Sequence, residues 1–323
     1  MKALVTGANG FTGSHLVGAL LARGMSVVAY VRPTSDLSRL PAESAALGLA
    51  YGDITDQAAL AQAMTGVDWV FHTAAYVELG VVDAARMAQV NVKGTQAVLV
   101  AAQAAQSRLL YCSTIGIYGD TQGKVIDEAF ERQQAGFSSA YDRTKYEAQC
   151  LVDQAAAAGL HVVSVMPSGI FGPDDPHFGP VLDAFRRGRL KVWAGGDRIT
   201  GVVHVDDLVD GMLRAIEQGK PGEHFILSAD ELTTRDMFAQ LSRLTGVPAP
   251  AEVPPPVVRL AGNLLDPIGR LMNWQPPISR ERVHYIYDRC VRVDGSKAKR
   301  CLGWTPRSVQ ETLQDCVALQ NGD

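Results

Sequence analysis

Met1-Lys2-Ala3-Leu4-Val5-Thr6-Gly7-Ala8-Asn9-Gly10-Phe11-Thr12-Gly13 is the stretch on which the fold turns. The first six residues have the composition of a short buried strand, and an apolar helical pattern (Leu16, Val17, Ala19, Leu20, Leu21) starts beyond Gly13. A strand, a glycine-rich turn and a helix in that order make a dinucleotide-binding unit. Gly7 admits a tight turn with positive φ, Gly10 lets the backbone approach a pyrophosphate, and Gly13 lets the helix lie close on the strand. The helix N-terminus then offers unpaired N–H groups and a positive dipole end to phosphate, with Asn9, Phe11 and Thr12 in the same cradle. The spacing is G-x-x-G-x-x-G rather than G-x-G-x-x-G, and a ligand-free turn would use the same residues. Its position between strand and helix favours the phosphate cradle.

Outward from this turn, strand-like and helix-like segments alternate. Strands are expected at 25–31, 49–51, 68–73, 109–113 and 161–166, and helices at 58–64, 82–106 and 140–158. This alternation predicts an α/β fold, a doubly wound parallel sheet, with a smaller and mostly helical C-terminal substrate lobe. Regularity loosens after Pro167. Segment 201–205 and a helix over 206–218 read as a return to the first lobe, and 230–277 as helices broken by proline-rich loops. The expected division is 1–167 with about 201–228 as the cofactor-binding domain, and 168–200 with about 229–310 as the substrate-binding lobe.

The chain has 323 residues, of which 47% are hydrophobic and 20% charged, and a net charge of −4. That balance gives no basic footprint for nucleic acid and no polybasic segment for anionic lipid. No run of 18 uncharged apolar residues argues for stable membrane insertion. Five scattered cysteines without a C-x-x-C pair fit free thiols, and the first residues do not match a signal peptide. The expected location is the cytoplasm.

The second strand ends Tyr30-Val31-Arg32-Pro33. An acid at this position would accept bonds from a ribose 2′-hydroxyl and repel a 2′-phosphate. Arg32 offers a charged fork instead, so the expected cofactor is NADP(H), with NAD as the alternative. A solvated surface charge is the other reading of Arg32. Asp53 and Ile54 fall where an Asp can meet an adenine amino group and an apolar residue can pack on the ring, although Asp53 could equally cap a helix.

Thr114 closes the fifth strand, and Tyr141 and Lys145 share a helix face at i, i+4. An ammonium beside a phenol favours the phenolate. The phenol can then move a proton to or from a substrate oxygen that a hydroxyl also holds. No metal is needed when a nicotinamide carries the hydride.

Together with Gly52-Asp53-Ile54-Thr55-Asp56, Val70 to Ala75, Asn91 to Thr95, Tyr111 to Thr114, Pro167 to Pro173, Val203 to Asp207 and Leu302 to Pro306, these stretches are similar to the extended short-chain dehydrogenases/reductases, the NAD-dependent epimerase/dehydratase family. The resemblance implies Tyr141 as acid/base, Lys145 also on the nicotinamide ribose, and Thr114 as the hydroxyl member of the triad. It places Thr73, Ala74 and Ala75 along the cofactor and Pro167, Ser168 and Ile170 beside the nicotinamide. It implies structural roles for Asn91, as an anchor under the strand ends, and Asp207, as a helix cap. Ile115 and Gly116 stand where 4,6-dehydratases of this family carry Asp and Glu, which disfavours elimination. Met166 and Gly169 replace the Arg and Asn that tend to serve nucleotide sugars. What remains resembles the dihydroflavonol-reductase-like and hopanoid-associated-epimerase-like group. That implies an NADPH-dependent oxidoreductase, a carbonyl reductase of a fairly apolar small molecule, or an alcohol dehydrogenase in reverse. The alternatives are a sugar-nucleotide 4-epimerase and, third, a non-catalytic NADP sensor. Tyr76, Ile115, Tyr118 and Phe171 are candidate substrate residues. Helical spacing of apolar residues over 257–272 predicts a packed helix interrupted near Pro267. A homodimer through 82–106 and 140–158 is an expectation of the resemblance, and their alanine-rich runs could instead face the chain's own sheet.

Overall fold

The computed structural model describes residues 1–41 and 44–318. Its centre is a seven-stranded, wholly parallel sheet. The first five strands are β1 (Lys2–Thr6), β2 (Ser26–Val31), β3 (Leu47–Tyr51), β4 (Trp69–His72) and β5 (Arg108–Cys112). Strands Val162–Pro167 and His224–Leu227 extend the β5 edge. From β1 the chain winds outward to β2 and β3, then crosses back so that β4 pairs with the other side of β1. The carboxyl ends of β1 and β4 therefore flank the switch point, where open α/β sheets bind ligands.

Strands sandwiched between two helical layers must be apolar on both faces. All four residues of β4 and all six of 162–167 are buried. On one face, helices Phe11–Ala22 and Val205–Gln218 pack Leu16, Leu20, Met212 and Ile216 against Phe71 and Val163. On the other face, Leu60, Val98, Ala102, Ala148 and Val152 meet Leu4, Val70 and Leu109. Ala101 and Ala102 thus face the chain's own sheet.

The helix expected over 82–106 runs as Ala84–Ala88, a π-turn at Gln89–Lys93 and Gly94–Ala105. Such single-turn bulges re-aim one side chain within a helix. Here the turn contains Asn91, whose side chain is buried. Segment 201–205 does not pair with the central sheet. Its strand, Ile199–His204, lies between Gly169–Phe171 and Asp230–Thr233 in a separate three-stranded sheet. The helix that follows does lie on the central sheet. Asp207 does not cap that helix. The His204 ring accepts the Asp206 N–H there, while Asp207 binds Arg307 at 3.0 Å.

Around the small sheet, Leu182, Phe185, Phe238, Leu241 and Leu313 form a second core. Ala298, Leu302 and Trp304 instead join the core beneath 205–218. Helix Pro255–Met272 is unbroken through Pro267. A proline interior to a helix frees the carbonyl four residues earlier. Here that residue is Asn263, on the exposed side, where water can satisfy it.

Candidate functional site

A groove of about 550 Å³ opens at the switch point, bordered by Gly7, Gly10, Arg32, Asp53, Thr73 and Ala74 among others. Its glycines are there for contact reasons. Gly7 has φ of +68°, and a Cβ on it would stand 2.8 Å from Ala74 Cα. A Cβ on Gly13 would meet Gly7 O at 2.1 Å. The β1 turn therefore abuts the β4 turn on one side and the helix on the other. Gly10 N–H donates to Gly7 O at 2.9 Å, and Gly10 stands at the N-cap of the helix with no side-chain cap. The first-turn N–H groups beyond it are left for a ligand.

At the end of β2, Arg32 is exposed on the groove rim with Ser35, and no acid ends that strand. Asp53 is fixed by Thr55, whose N–H and hydroxyl both donate to Oδ1 at 3.0 and 2.7 Å. Those bonds hold its carboxyl below the usual range. It caps no helix, because Asp56 caps Gln57–Ala63. Ile54 is buried against Gly94, where a Cβ would fall 2.7 Å from Ile54 Cγ2. Asn9 binds the Asp36 carbonyl at 3.1 Å and ties the glycine turn to the loop after β2.

A smaller cavity of about 200 Å³ is bordered by Thr114, Ile115, Tyr141, Pro167 and Ser168. Thr114 Oγ1 accepts the Gly116 N–H at 3.1 Å, so its hydroxyl proton is available to a substrate oxygen. Lys145 is buried, one turn further along the helix of Tyr141. Its Nζ donates to Cys112 O at 2.8 Å and sits 4.4 Å from the Tyr111 ring centre. Burial pushes the Tyr141 phenol up to about 12, and the Lys145 ammonium pulls it down without cancelling that rise. The expectation of a net lowering is thus reversed, because desolvation of the phenolate outweighs one cation.

A buried polar chain joins β1, β4 and the helix after the π-turn. Thr95 donates to Asn91 O at 2.6 Å, so the Thr95 oxygen accepts from His72 Nε2 at 2.9 Å, and His72 Nδ1 accepts from the Thr6 hydroxyl at 2.8 Å. Each ring nitrogen has one role, which fixes a neutral imidazole, and burial drives its pKa down to about 3. Asn91 Oδ1 accepts the Tyr76 N–H at 2.7 Å, while Nδ2 donates to Tyr76 O and to Thr144 Oγ1. It anchors the β4 turn to the helix that carries Tyr141.

A model of the NAD dependent epimerase/dehydratase family matches residues 3–228. The chain belongs to that family. Sterol demethylase protein B of Methylococcus capsulatus is 33% identical over 98% of this chain and 98% of its own length. The 4-hydroxy-2-methyl-3-oxo-4-farnesyl-3,4-dihydroquinoline-1-oxide ketoreductase of Stigmatella aurantiaca is 33% identical over 98% and 96%. The dTDP-glucose 4,6-dehydratase of Streptomyces venezuelae, crystallised with NAD, superposes with a TM-score of 0.81 at 24% identity over 100% of this chain and 98% of that one, which shows the shared fold. The chain is of the extended short-chain dehydrogenase/reductase type within this family, whose members similar to it include oxidoreductases.

Of the residues named from sequence, Gly7, Asn9, Gly10, Arg32, Asp53, Ile54, Thr73, Ala74, Ala75 and Tyr76 border the groove, and Thr114, Ile115, Tyr141, Pro167 and Ser168 border the smaller cavity. Phe11 and Thr12 open the helix behind the cradle, and Gly13 is buried there. Ile170 packs on the core of the first lobe. Tyr118 is buried against Phe130, and Phe171 against Phe178 with ring centres 4.8 Å apart, and neither borders the smaller cavity. Two arginines of the cavity wall, Arg198 and Arg289, escaped the sequence reading. Both lie in irregular segments with no spacing to single them out. No helix among the described residues is long and apolar enough to cross a membrane.

Proposed function

We propose that this family member interconverts a ketone and an alcohol with NADP(H). The observation that carries the reading is a cavity bordered by Thr114 and Tyr141, with Lys145 one helical turn beyond Tyr141, together with a groove bordered by the glycine turn. The groove fits a dinucleotide. Gly7 and Gly13 leave no room for a Cβ, and the helix N-terminus above them is uncapped. Arg32 would meet the 2′-phosphate, Gly10 the pyrophosphate, and Lys145 the nicotinamide ribose. When bound, the reduced nicotinamide supplies a hydride to the carbonyl carbon. Thr114 donates a hydrogen bond to the carbonyl oxygen, Tyr141 Oη delivers the proton to it, and Lys145 steadies the charge left on the phenol.

Ile115 and Gly116 bring no second acid or base to the cavity, which favours simple carbonyl reduction over elimination. Tyr141→Phe is expected to lower NADPH-dependent ketone turnover at least a hundredfold, with NADPH binding by fluorescence retained. Arg32→Asp is expected to move preference from NADPH toward NADH. Wild-type protein that uses NADH as well as NADPH contradicts the role given to Arg32. Tightly held NAD and interconversion of a nucleotide sugar, without net ketone reduction, contradict the reductase reading.

A further inference from the structure

The wall of the reacting cavity holds a cation without a counter-ion. Arg198 precedes the strand Ile199–His204 and borders both the 200 Å³ cavity and a second one of about 410 Å³ behind it. It is partly buried, and among the described residues its guanidinium has no hydrogen-bond or carboxylate partner. The acids around it are engaged elsewhere. Glu252 and Asp197 each hold Arg235 at 2.7 Å. Asp288 holds Arg259 at 3.0 Å. Asp120 Oδ1 accepts the N–H groups of Gln122 and Cys290, both at 3.0 Å. Asp142 faces Arg289 at 3.3 Å, which balances those two charges. Of the charged residues that border the cavity holding Tyr141, Arg198 and Arg289 are cations and Asp142 is the acid, so its wall carries one positive charge in surplus. Desolvation and the neighbouring Arg289 charge pull the Arg198 guanidinium below its ordinary value, as expected for a cation short of a partner. A partly desolvated cation gains when an anion pairs with it.

We propose that Arg198 receives a carboxylate of the substrate, so that the compound reduced is an oxo acid, or in reverse a hydroxy acid, rather than a neutral ketone. This rests on the ketoreductase reading above. A single surplus charge matches a monoanion better than a phosphate dianion, and the planar guanidinium fork matches a carboxylate with two parallel N–H···O bonds. At about 200 Å³ the cavity is smaller than those that take drug-sized ligands. The carboxylate therefore lies within a few bonds of the reacting carbonyl, and a longer tail must leave the cavity. The carboxylate is not consumed. The carbonyl carbon gains the hydride, its oxygen gains the Tyr141 proton, and the acid is released as a hydroxy acid.

The test compares wild type, Arg198→Met and Arg198→Lys on 3-oxohexanoate, methyl 3-oxohexanoate and dihydroxyacetone phosphate with NADPH. Wild type is expected to favour the free acid. In Arg198→Met the acid-to-ester ratio of kcat/KM should fall about 30-fold or more, carried mainly by KM, as for loss of one member of a desolvated charge pair. Arg198→Lys should recover part of that loss, and the melting temperature and NADPH affinity of each variant exclude misfolding. Wild type that reduces ester and acid alike, an unchanged ratio in Arg198→Met, or a preference for dihydroxyacetone phosphate overturns the proposal while leaving ketone reduction intact. Failure to reduce any of the three compounds, with turnover of a nucleotide sugar instead, overturns the underlying reading.

Discussion

Tyr141 must hold a proton before it can give one. With its phenol pushed up to about 12 by burial, the residue is protonated across the neutral range, which suits delivery to a carbonyl oxygen. The opposite direction needs the phenolate, whose fraction rises tenfold per pH unit below that value. In kcat/KM, ketone reduction should therefore be nearly flat between pH 6 and 9, while alcohol oxidation climbs steeply through the same range without levelling. An oxidation profile that levels below pH 8 would show that Lys145 and the bound nicotinamide outweigh desolvation. The chemistry-bearing residues differ in how legible they are. Tyr141 and Lys145 are visible because helical spacing fixes their shared face. Arg198 and Arg289 are not, because the cavity they border is assembled from segments far apart in the chain. The direction of the Tyr141 shift was also hidden. Spacing shows that an ammonium is near, but the opposing cost of burial depends on everything packed around the ring.

Two helices show how the same substitution can take opposite signs. Gly18 lies inside Phe11–Ala22, and a Cβ there would meet nothing within 4 Å. Gly262 lies on the packed side of Pro255–Met272, where a Cβ would stand 2.6 Å from Val283 Cγ2 and 3.3 Å from Ser279 O. Alanine gains about 1 kcal/mol over glycine inside a helix, and an over-packed contact costs about 1–3 kcal/mol. Gly18→Ala should raise the urea midpoint by the equivalent of about 0.5–1 kcal/mol, and Gly262→Ala should lower it by up to about 2 kcal/mol. Midpoints that move the same way in both variants would refute the contact argument. At this scale most elements of the first lobe are readable from apolar period alone. The π-turn around Asn91 is not, because one inserted residue barely disturbs that period. Nor is the continuity of Pro255–Met272, since proline normally ends a helix, whereas here the carbonyl it frees belongs to the exposed Asn263.

At the scale of the molecule, the glycine turn specifies one lobe far better than the other. Where β1 ends, what must abut it and which side of the sheet binds all follow from Gly7, Gly10 and Gly13 and the run of apolar strands. The pairing of Ile199–His204 does not follow, because a short apolar strand suits either sheet and its neighbours are chosen by distant segments. The polar chain through Thr6, His72, Thr95 and Asn91 joins β1, β4 and the π-turn, so its protonation state bears on the whole fold. His72 has a pKa of about 3 in the folded chain against 6.5 when free. The unfolded chain thus binds the extra proton first. The stabilisation from a neutral His72 is complete above pH 6.5 and is lost progressively as pH falls toward 3. Between pH 6.5 and 5 the loss amounts to about 2 kcal/mol for one proton. Urea unfolding at pH 7.5 and 5.0 should show that drop in wild type and a smaller one in His72→Gln, the difference isolating this residue from the carboxylates that titrate lower. Nuclear magnetic resonance of the imidazole gives the independent readout, with His72 expected to stay neutral at pH 5. A protonated ring at that pH, or equal drops in the two proteins, would mean that the chain of hydroxyls tolerates an imidazolium and does not couple pH to the switch point.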